Sequence, residues 1–369
     1  MPSRWWGRIG AGGAALVVGL LIAGVEVGRG REWTDADWGR YGGETYTFVA
    51  PGDAPPDQVR TVIGQMETYT PTTGDTFYDI GRYFDLGYNE IVAANPDSDV
   101  WIPAQDGKDI QIPREWVLPC CNFDGLIVNI PEMRVYYYPK RAKGAPRTVI
   151  TYPVGLGRTD WKTPTGKFKI TEKTKDPTWV IPESIRQERI ADKGFSEKSI
   201  PGGSPDNPMG RYRMRVSLDI YSFHGTNIPW GVGMFVSHGC IRFYPEDIER
   251  LFPTVPTGTP GEFIYQTVKV GTRNDRIFVE VHEDIYSMQP GRWRTTINEL
   301  QKRGLLDRVD EEKLHQAVYE SRGIPVDVTR ETLPPSTNEA GGPGIHPLPA
   351  TQLDADDSYP SRNRPATGG

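Results

Sequence analysis

The sequence predicts a mainly β protein with a small α+β unit ahead of it and short helices near the C-terminal end. Three observations lead there. From about residue 122 apolar side chains alternate with period two through short runs (126–130, 134–138, 148–154, 214–220) separated by turn residues. Glycine (41) and proline (33) are abundant among 369 residues, which suits short strands and turns better than helix bundles. Between residues 68 and 114 the period is helical instead, at Phe77, Ile80 and Phe84.

Taken in order, the chain opens on Arg4 and Arg8 and then an uncharged apolar run, 9–25, ended by Glu26. Residues 1–27 read as a signal peptide or signal anchor; no convincing small-x-small site follows, which favours a membrane anchor through 9–25. The rest of the chain is then expected outside the cytoplasm. A net charge of −6 disfavours nucleic acid as a partner. With three cysteines in an oxidising compartment, at least one thiol stays free. Cys120 and Cys121 are neighbours at a boundary and carry no functional assignment, which leaves Cys240 as the working thiol. Residues 28–67 read as a linker, with a strand at 45–49 and a short helix at 58–66.

Residues 68–114 form a compact unit. A strand at 69–71 leads to Gly74-Asp75-Thr76, a turn and helix cap. A second helix, 88–94, stops at Asn95-Pro96, and 109–113 alternates as an edge strand. This strand-helix-helix-strand order, with Gly-Asp-Thr and Ala-Asn-Pro so placed, resembles a LysM domain. The resemblance implies binding of N-acetylglucosamine-containing glycan between the loops carrying Gly74, Asp75, Thr76 and those carrying Asn95 and Pro96.

The chemistry concentrates in Ser222-Phe223-His224-Gly225-Thr226-Asn227 and Ser237-His238-Gly239-Cys240-Ile241-Arg242. A free thiol, pKa about 8.5, is mostly protonated at neutral pH, and an adjacent imidazole would make it a thiolate. Gly239 leaves the backbone open for amides to face a carbonyl oxygen. One thiol and two imidazoles lack a clear fourth ligand for a metal, and neither a metal nor an organic cofactor is expected. Spacing alone leaves both histidines open as the base.

His-Gly-Thr-Asn followed by Ser-His-Gly-Cys-Ile-Arg resembles the signature of L,D-transpeptidases, the YkuD-type catalytic domain of the ErfK/YbiS group. Gly155-x-Gly157 and Thr163-Pro-Thr-Gly166 extend the resemblance over residues 122–270. It implies a β-sandwich-like fold with Cys240 in a cleft under a flap in the irregular stretch 176–210. It implies Cys240 as nucleophile, His224 as base and the Gly225 carbonyl as its orienting group. The His238, Gly239 and Cys240 amides would form an oxyanion hole, with Ser237 and His238 bracing the loop. Arg242, Thr226 and Asn227 would contact substrate. The implied partner is peptidoglycan in the periplasm or cell envelope. A tetrapeptide stem would acylate Cys240 with release of D-alanine, and an amine of a second stem or of an outer-membrane lipoprotein would take the acyl group. Carbapenems should acylate the thiol. A hydrolase on the same scaffold, or a wall-binding protein with an idle thiol, are the competing readings. Residues 271–330 read as a strand and two helices, with His282 structural or exposed. Residues 331–369 are too polar and proline-rich to form a core and are expected to be disordered.

Overall fold

The computed structural model describes residues 31–119, 123–218 and 220–331. The anchor reading of 9–25, Cys120 and Cys121, and the tail reading beyond 331 lie outside these residues. No described helix is long and apolar enough to cross a membrane.

Strand β1 (Thr45–Phe48) is followed by β2 (Val62–Tyr69), helices α1 (Phe77–Tyr83) and α2 (Tyr88–Ala94), and β3 (Ile110–Val117). β2 and β3 pair antiparallel over eight residues, Val62 against Val117 through Tyr69 against Ile110. Two expectations are corrected here. Residues 58–66 are largely strand rather than helix, because Val62 and Ile63 are buried against β3. Within the stretch read as a linker, the expected strand is present as β1, but it is not free: it forms one edge of the main sheet by pairing with residues 147–150.

Next come β4 (Gly125–Asn129), β5 (Arg134–Tyr138), β6 (Arg147–Pro153), β7 (Leu156–Gly157) and β8 (Gly166–Lys175). The stretch expected to be irregular, 176–210, holds β9 (Trp179–Val180), α3 (Glu183–Lys193) and β10 (Ser199–Ile200). α3 ends at Gly194 in the left-handed region and buries none of its residues. Then follow β11 (Tyr212–Val216), β12 (Ser222–His224), β13 (Phe235–Ser237), β14 (Ile241–Arg242), α4 (Pro245–Thr254) and β15 (Pro260–Ile264). The chain continues through β16 (Val268–Arg273), β17 (Arg276–Val281), α5 (Arg292–Lys302), α6 (Glu311–Glu320) and β18 (Val326–Asp327).

The main sheet has nine strands in the order β1-β6-β5-β4-β15-β8-β11-β12-β14, parallel only at β4/β15 and β12/β14. It separates two cores. Leu126, Val128, Phe168, Met214, Phe223 and Ile241 face α4, which presents Ile248 and Leu251. From the opposite face Ile127, Tyr136, Tyr138 and Val149 meet Phe77, Ile80, Phe84, Ile91 and Trp116 of the β2-α1-α2-β3 unit. This explains why every residue of β4 and β5 is buried. A one-sided sheet would alternate; a strand covered on both faces does not. Arg134 of β5, fully buried, seals the contact by bonding Glu90 of α2 at 2.8 and 2.9 Å and the Asp85 carbonyl at 2.9 Å. A buried arginine is tolerable because its charge and its donors are met.

Candidate active site

The site is built where β12 lies between β11 and β14. The register sets His224 opposite Arg213 on one side and Arg242 on the other. Side chains opposite each other share a face of the sheet, and those two apart along a strand share it too. Ser222, His224, Arg213, Arg242 and Cys240 therefore gather on one face. Met214, Phe223 and Ile241, the intervening residues, fill the core on the other.

His224 is buried, and its Nδ1 lies 2.6 Å from the Gly225 carbonyl oxygen. A carbonyl cannot donate, so Nδ1 carries the hydrogen and Nε2 keeps its lone pair. Burial, reinforced by the Arg242 and Arg213 guanidiniums, lowers the imidazole pKa to about 3. Cys240 is part-exposed by surface area yet closely surrounded, and its Sγ lies 3.6 Å from the Ile220 carbonyl. Burial pushes the thiol up, against opposing pulls from the Ser222 N–H and Arg242. At neutral pH the pair is therefore thiol and neutral imidazole. The expectation of a resting thiolate is corrected: desolvation opposes both charges, and it outweighs the pull of the neighbouring cations on the sulfur.

The loop before Cys240 is held tightly. Ser237, fully buried, donates from Oγ to the Cys240 carbonyl at 2.6 Å and accepts from the Gly239 N–H at 3.1 Å. The Gly239 amide, one of the three expected oxyanion donors, is thus already spent on Ser237. Gly239 has φ +103°, and a Cβ there would meet the Tyr221 ring at 2.6 Å, so no other residue fits. His238 turns away: its Nε2 is 2.9 Å from Glu188 of α3, and its ring sits edge-on to Trp161. Glu188 also takes Arg158 at 3.3 Å. α3 is thereby tied over the loop by its charges, since it has no buried face to hold it.

Thr226 is buried and spends its hydroxyl on the Ile228 N–H at 2.9 Å, bracing the turn, while Asn227 is exposed. Arg242 differs from its neighbours. Its Nε is buried without a hydrogen bond, and among the described residues no carboxylate pairs with it.

Several supporting residues escaped sequence reasoning. Thr163 was visible only as part of a turn. Its hydroxyl accepts from the Gly157 N–H at 3.1 Å and donates to the Gly239 carbonyl at 3.1 Å. Tyr286, beyond the expected boundary at 270, donates to the Gly157 carbonyl at 2.7 Å and accepts from the Thr163 N–H at 3.3 Å. Thr163→Val, which keeps the volume and leaves the buried Gly157 amide unpaired, is expected to destabilise by about 2–3 kcal/mol in denaturant melts.

In the β2-α1-α2-β3 unit, two residues expected to face glycan are otherwise engaged. Asp75 is buried and accepts from the Thr72 amide at 2.7 Å and the Tyr69 hydroxyl at 2.8 Å. Asn95 is buried and bonds the backbone of Ile91 and Gln111. Thr76 caps α1. Gly74 and Pro96 are exposed.

One group of described residues has the spacing of metal ligands: Glu132, Glu280 and His282, all buried. The Lys269 ammonium already fills it, 2.8 Å from Glu132 and 2.6 Å from Glu280, so a cation is built into the fold there.

Residues 124–271 match a family described as the L,D-transpeptidase catalytic domain, YkuD. "Probable L,D-transpeptidase YbiS" of Escherichia coli (strain K12) is 36% identical over 228 residues, covering 61% of this chain and 72% of that protein. "Probable L,D-transpeptidase YcfS" of the same strain is 32% identical over 292 residues, covering 77% of this chain and 89% of that protein. "Putative L,D-transpeptidase YkuD" of Bacillus subtilis (strain 168) is 28% identical over 203 residues, 53% and 96% of the two chains.

Proposed function

The chain belongs to the L,D-transpeptidase family, and from that premise we propose that Cys240 and His224 carry out acyl transfer on the peptide stems of peptidoglycan in the cell envelope. The observation that supports this most is the His224 Nδ1 contact to the Gly225 carbonyl, which leaves the Nε2 lone pair free on a side chain that the β12–β14 register puts on the same face as Cys240. His224 takes the thiol proton as sulfur attacks the carbonyl of the third, L-centre stem residue. The oxygen of the tetrahedral intermediate gathers negative charge beside the His238 and Cys240 amides. The imidazolium then gives its proton to the departing D-alanine amine, the C–N bond breaks and a thioester remains. An incoming amine attacks the thioester and passes its proton to His224, and the thiol is restored. The side-chain amine of a second stem gives a 3→3 cross-link, a lipoprotein lysine gives a tethered protein, and water gives hydrolysis. No step draws on a metal.

The half-buried Arg242, whose Nε has no hydrogen-bond partner among the described residues, supports a role in binding the carboxylate of the terminal D-alanine of the donor stem. Arg242→Ala is expected to raise KM about tenfold with little change in kcat, and the difference should vanish for a donor ending in D-alanine amide. The unit at 62–117 we read as a LysM-type glycan-binding domain docked on a catalytic domain running from about 124 to 290. Helices α5 and α6 complete the C-terminal part, and anchorage in the inner membrane belongs to the same reading.

Mass spectrometry of the protein with disaccharide-tetrapeptide tests the reaction. A dimer lacking one D-alanine is expected, absent with Cys240→Ala. Tripeptide alone would mean hydrolysis. No Cys240-dependent change in a folded protein would reject the acyl-transfer reading.

A further inference from the structure

The sheet face that holds Cys240 is basic, although the chain as a whole carries a net charge of −6. Strand register extends that face beyond the reacting pair. Arg213 and Arg215 of β11 stand opposite Thr174 and Glu172 of β8 on one side, and opposite His224 and Ser222 of β12 on the other. Arg242 of β14 completes the row beyond His224. Among these paired residues, three arginines face a single carboxylate, that of Glu172. Glu172 is half-exposed and meets one arm of Arg213, whose Nη2 donates to Oε1 at 2.9 Å. The Thr174 hydroxyl donates to the same oxygen at 2.7 Å. The Nε of Arg213 is buried without a hydrogen-bond partner, as is that of Arg242. Both guanidiniums act on the reacting groups: they disfavour a charged His224 imidazole and favour the Cys240 thiolate.

A row of like charges repels itself, and a buried donor without an acceptor is a cost to the fold. An anionic ligand offsets both. The spacing says which anion. Neighbouring strands lie about 4.8 Å apart, so the backbones of Arg213 and Arg242 are about 10 Å apart with His224 between them. Consider a donor stem whose third side chain ends in a carboxylate, as in diaminopimelate. That group and the terminal D-alanine carboxylate lie on opposite sides of the reacting carbonyl, about nine bonds and about 10 Å apart when extended. Lysine at the same position lacks the second carboxylate. Accepting the acyl-transfer reading and the Arg242 assignment above, we infer that Arg213 binds the side-chain carboxylate of the third residue of the donor stem. The two arginines then hold the stem on either side of the carbonyl that Cys240 attacks. Glu172 fixes one arm of Arg213 and leaves the Nε donor for the ligand. Arg213 is a specificity residue, and it meets the substrate away from the reacting atoms.

Three disaccharide-tetrapeptides that differ only at the third residue test this: diaminopimelate with its side-chain carboxylate free, diaminopimelate amidated there, and lysine. D-Alanine release by the full-length protein is followed by mass. The free-acid stem should be preferred over the other two about ten- to hundredfold in kcat/KM, mostly through KM. In Arg213→Ala, and separately in the longer Arg213→Gln, that preference should fall to about twofold or less, whatever happens to the absolute rate. The dependence on the terminal D-alanine carboxylate should persist in both. Equal turnover of the three stems by the parent protein would overturn the assignment. So would a preference that survives both substitutions, which would leave Arg213 as an electrostatic neighbour of His224. Calorimetric titration with the same stems reads binding apart from chemistry. If no stem is turned over through Cys240 but the free-acid stem still binds more tightly, and only while Arg213 is present, the carboxylate site stands and the acyl-transfer reading falls. If that difference in binding is absent, the carboxylate site falls as well.

Discussion

Replacing His224 with glutamine should slow acylation of Cys240 about 10³-fold, within the range for a general base, while substrate binding stays within a few-fold. Glutamine can keep the contact to the Gly225 carbonyl through its amide, but it offers no basic nitrogen to the thiol. The measurement is single-turnover acylation by a carbapenem, followed by mass. The pH profile separates this mechanism from a thiolate–imidazolium pair. His224 must be neutral to accept the proton, and its pKa is lowered to about 3, chiefly by burial and then by Arg242. Acylation should therefore show no acid limb across the ordinary histidine range near pH 6.5. Alkylation by iodoacetamide should rise only above the ordinary thiol range, because burial holds the Cys240 proton on. An inflection between pH 5 and 7 in the parent protein, lost in His224→Gln, would reject the neutral pair. The same shift couples to stability. The unfolded histidine binds a proton below about 6.5 and the folded one does not. His224 therefore costs up to about 1.4 kcal/mol per pH unit as pH falls from there towards 3.

Lys269→Met should lower stability by about 3–5 kcal/mol, read as a fall in Tm of about 10 °C by calorimetry. Lys269 is fully buried and joins three parts of the molecule. Its ammonium binds Glu132, from the β4–β5 turn, at 2.8 Å and Glu280 of β17 at 2.6 Å, with the Tyr136 hydroxyl at 3.2 Å. Glu280 in turn accepts the Val117 N–H at 2.6 Å and contacts His282 Nε2 at 2.8 Å. Asn129 donates to Glu132 at 3.0 Å. Methionine fills the space but leaves two carboxylates facing each other without a cation. Lys269→Met combined with Glu132→Gln should recover part of the loss, since one stranded charge is then gone. Burial alone would raise Glu280, yet Lys269 and His282 hold it below the ordinary glutamate range. Its contribution is present at neutral pH and is lost as acid protonates it below that range.

Much of the chain could be read locally. The apolar runs between turn residues mark β4, β5 and β6 and the first part of the 214–220 run marks β11, and the Pro245-Glu246-Asp247 start marks α4. Asn95-Pro96 ends α2, and the cap at Thr76 opens α1. The error at 58–66 has a definite cause. Val62, Ile63 and Met66 are spaced as on a helix, and only pairing with β3 makes the segment a strand. Local pattern and partner disagree there, and the partner's eight-residue ladder prevails.

The amino-acid sequence by itself determined which residues hold the chemistry: a single thiol framed by Gly239 and Ile241, and an upstream His224-Gly225 pair whose order carried the family resemblance. Those are facts of covalent order, and a short motif keeps them. Tertiary structure alone decided their chemical state and surroundings. Cys240 and His224 are 16 positions apart, and Arg213 joins them only because β11 and β14 flank β12 in this register. Desolvation there makes the pair neutral, an outcome that residue types do not encode because it depends on how much water is excluded. Thr163 reaches the nucleophile loop from 77 residues before Cys240, and Tyr286, 46 residues after Cys240, holds Thr163 and Gly157 in place. The docking of β2-α1-α2-β3 onto the sheet was likewise hidden, because each half shows only an apolar face. Which faces meet is settled by packing and by Arg134 against Glu90, contacts with no local signature.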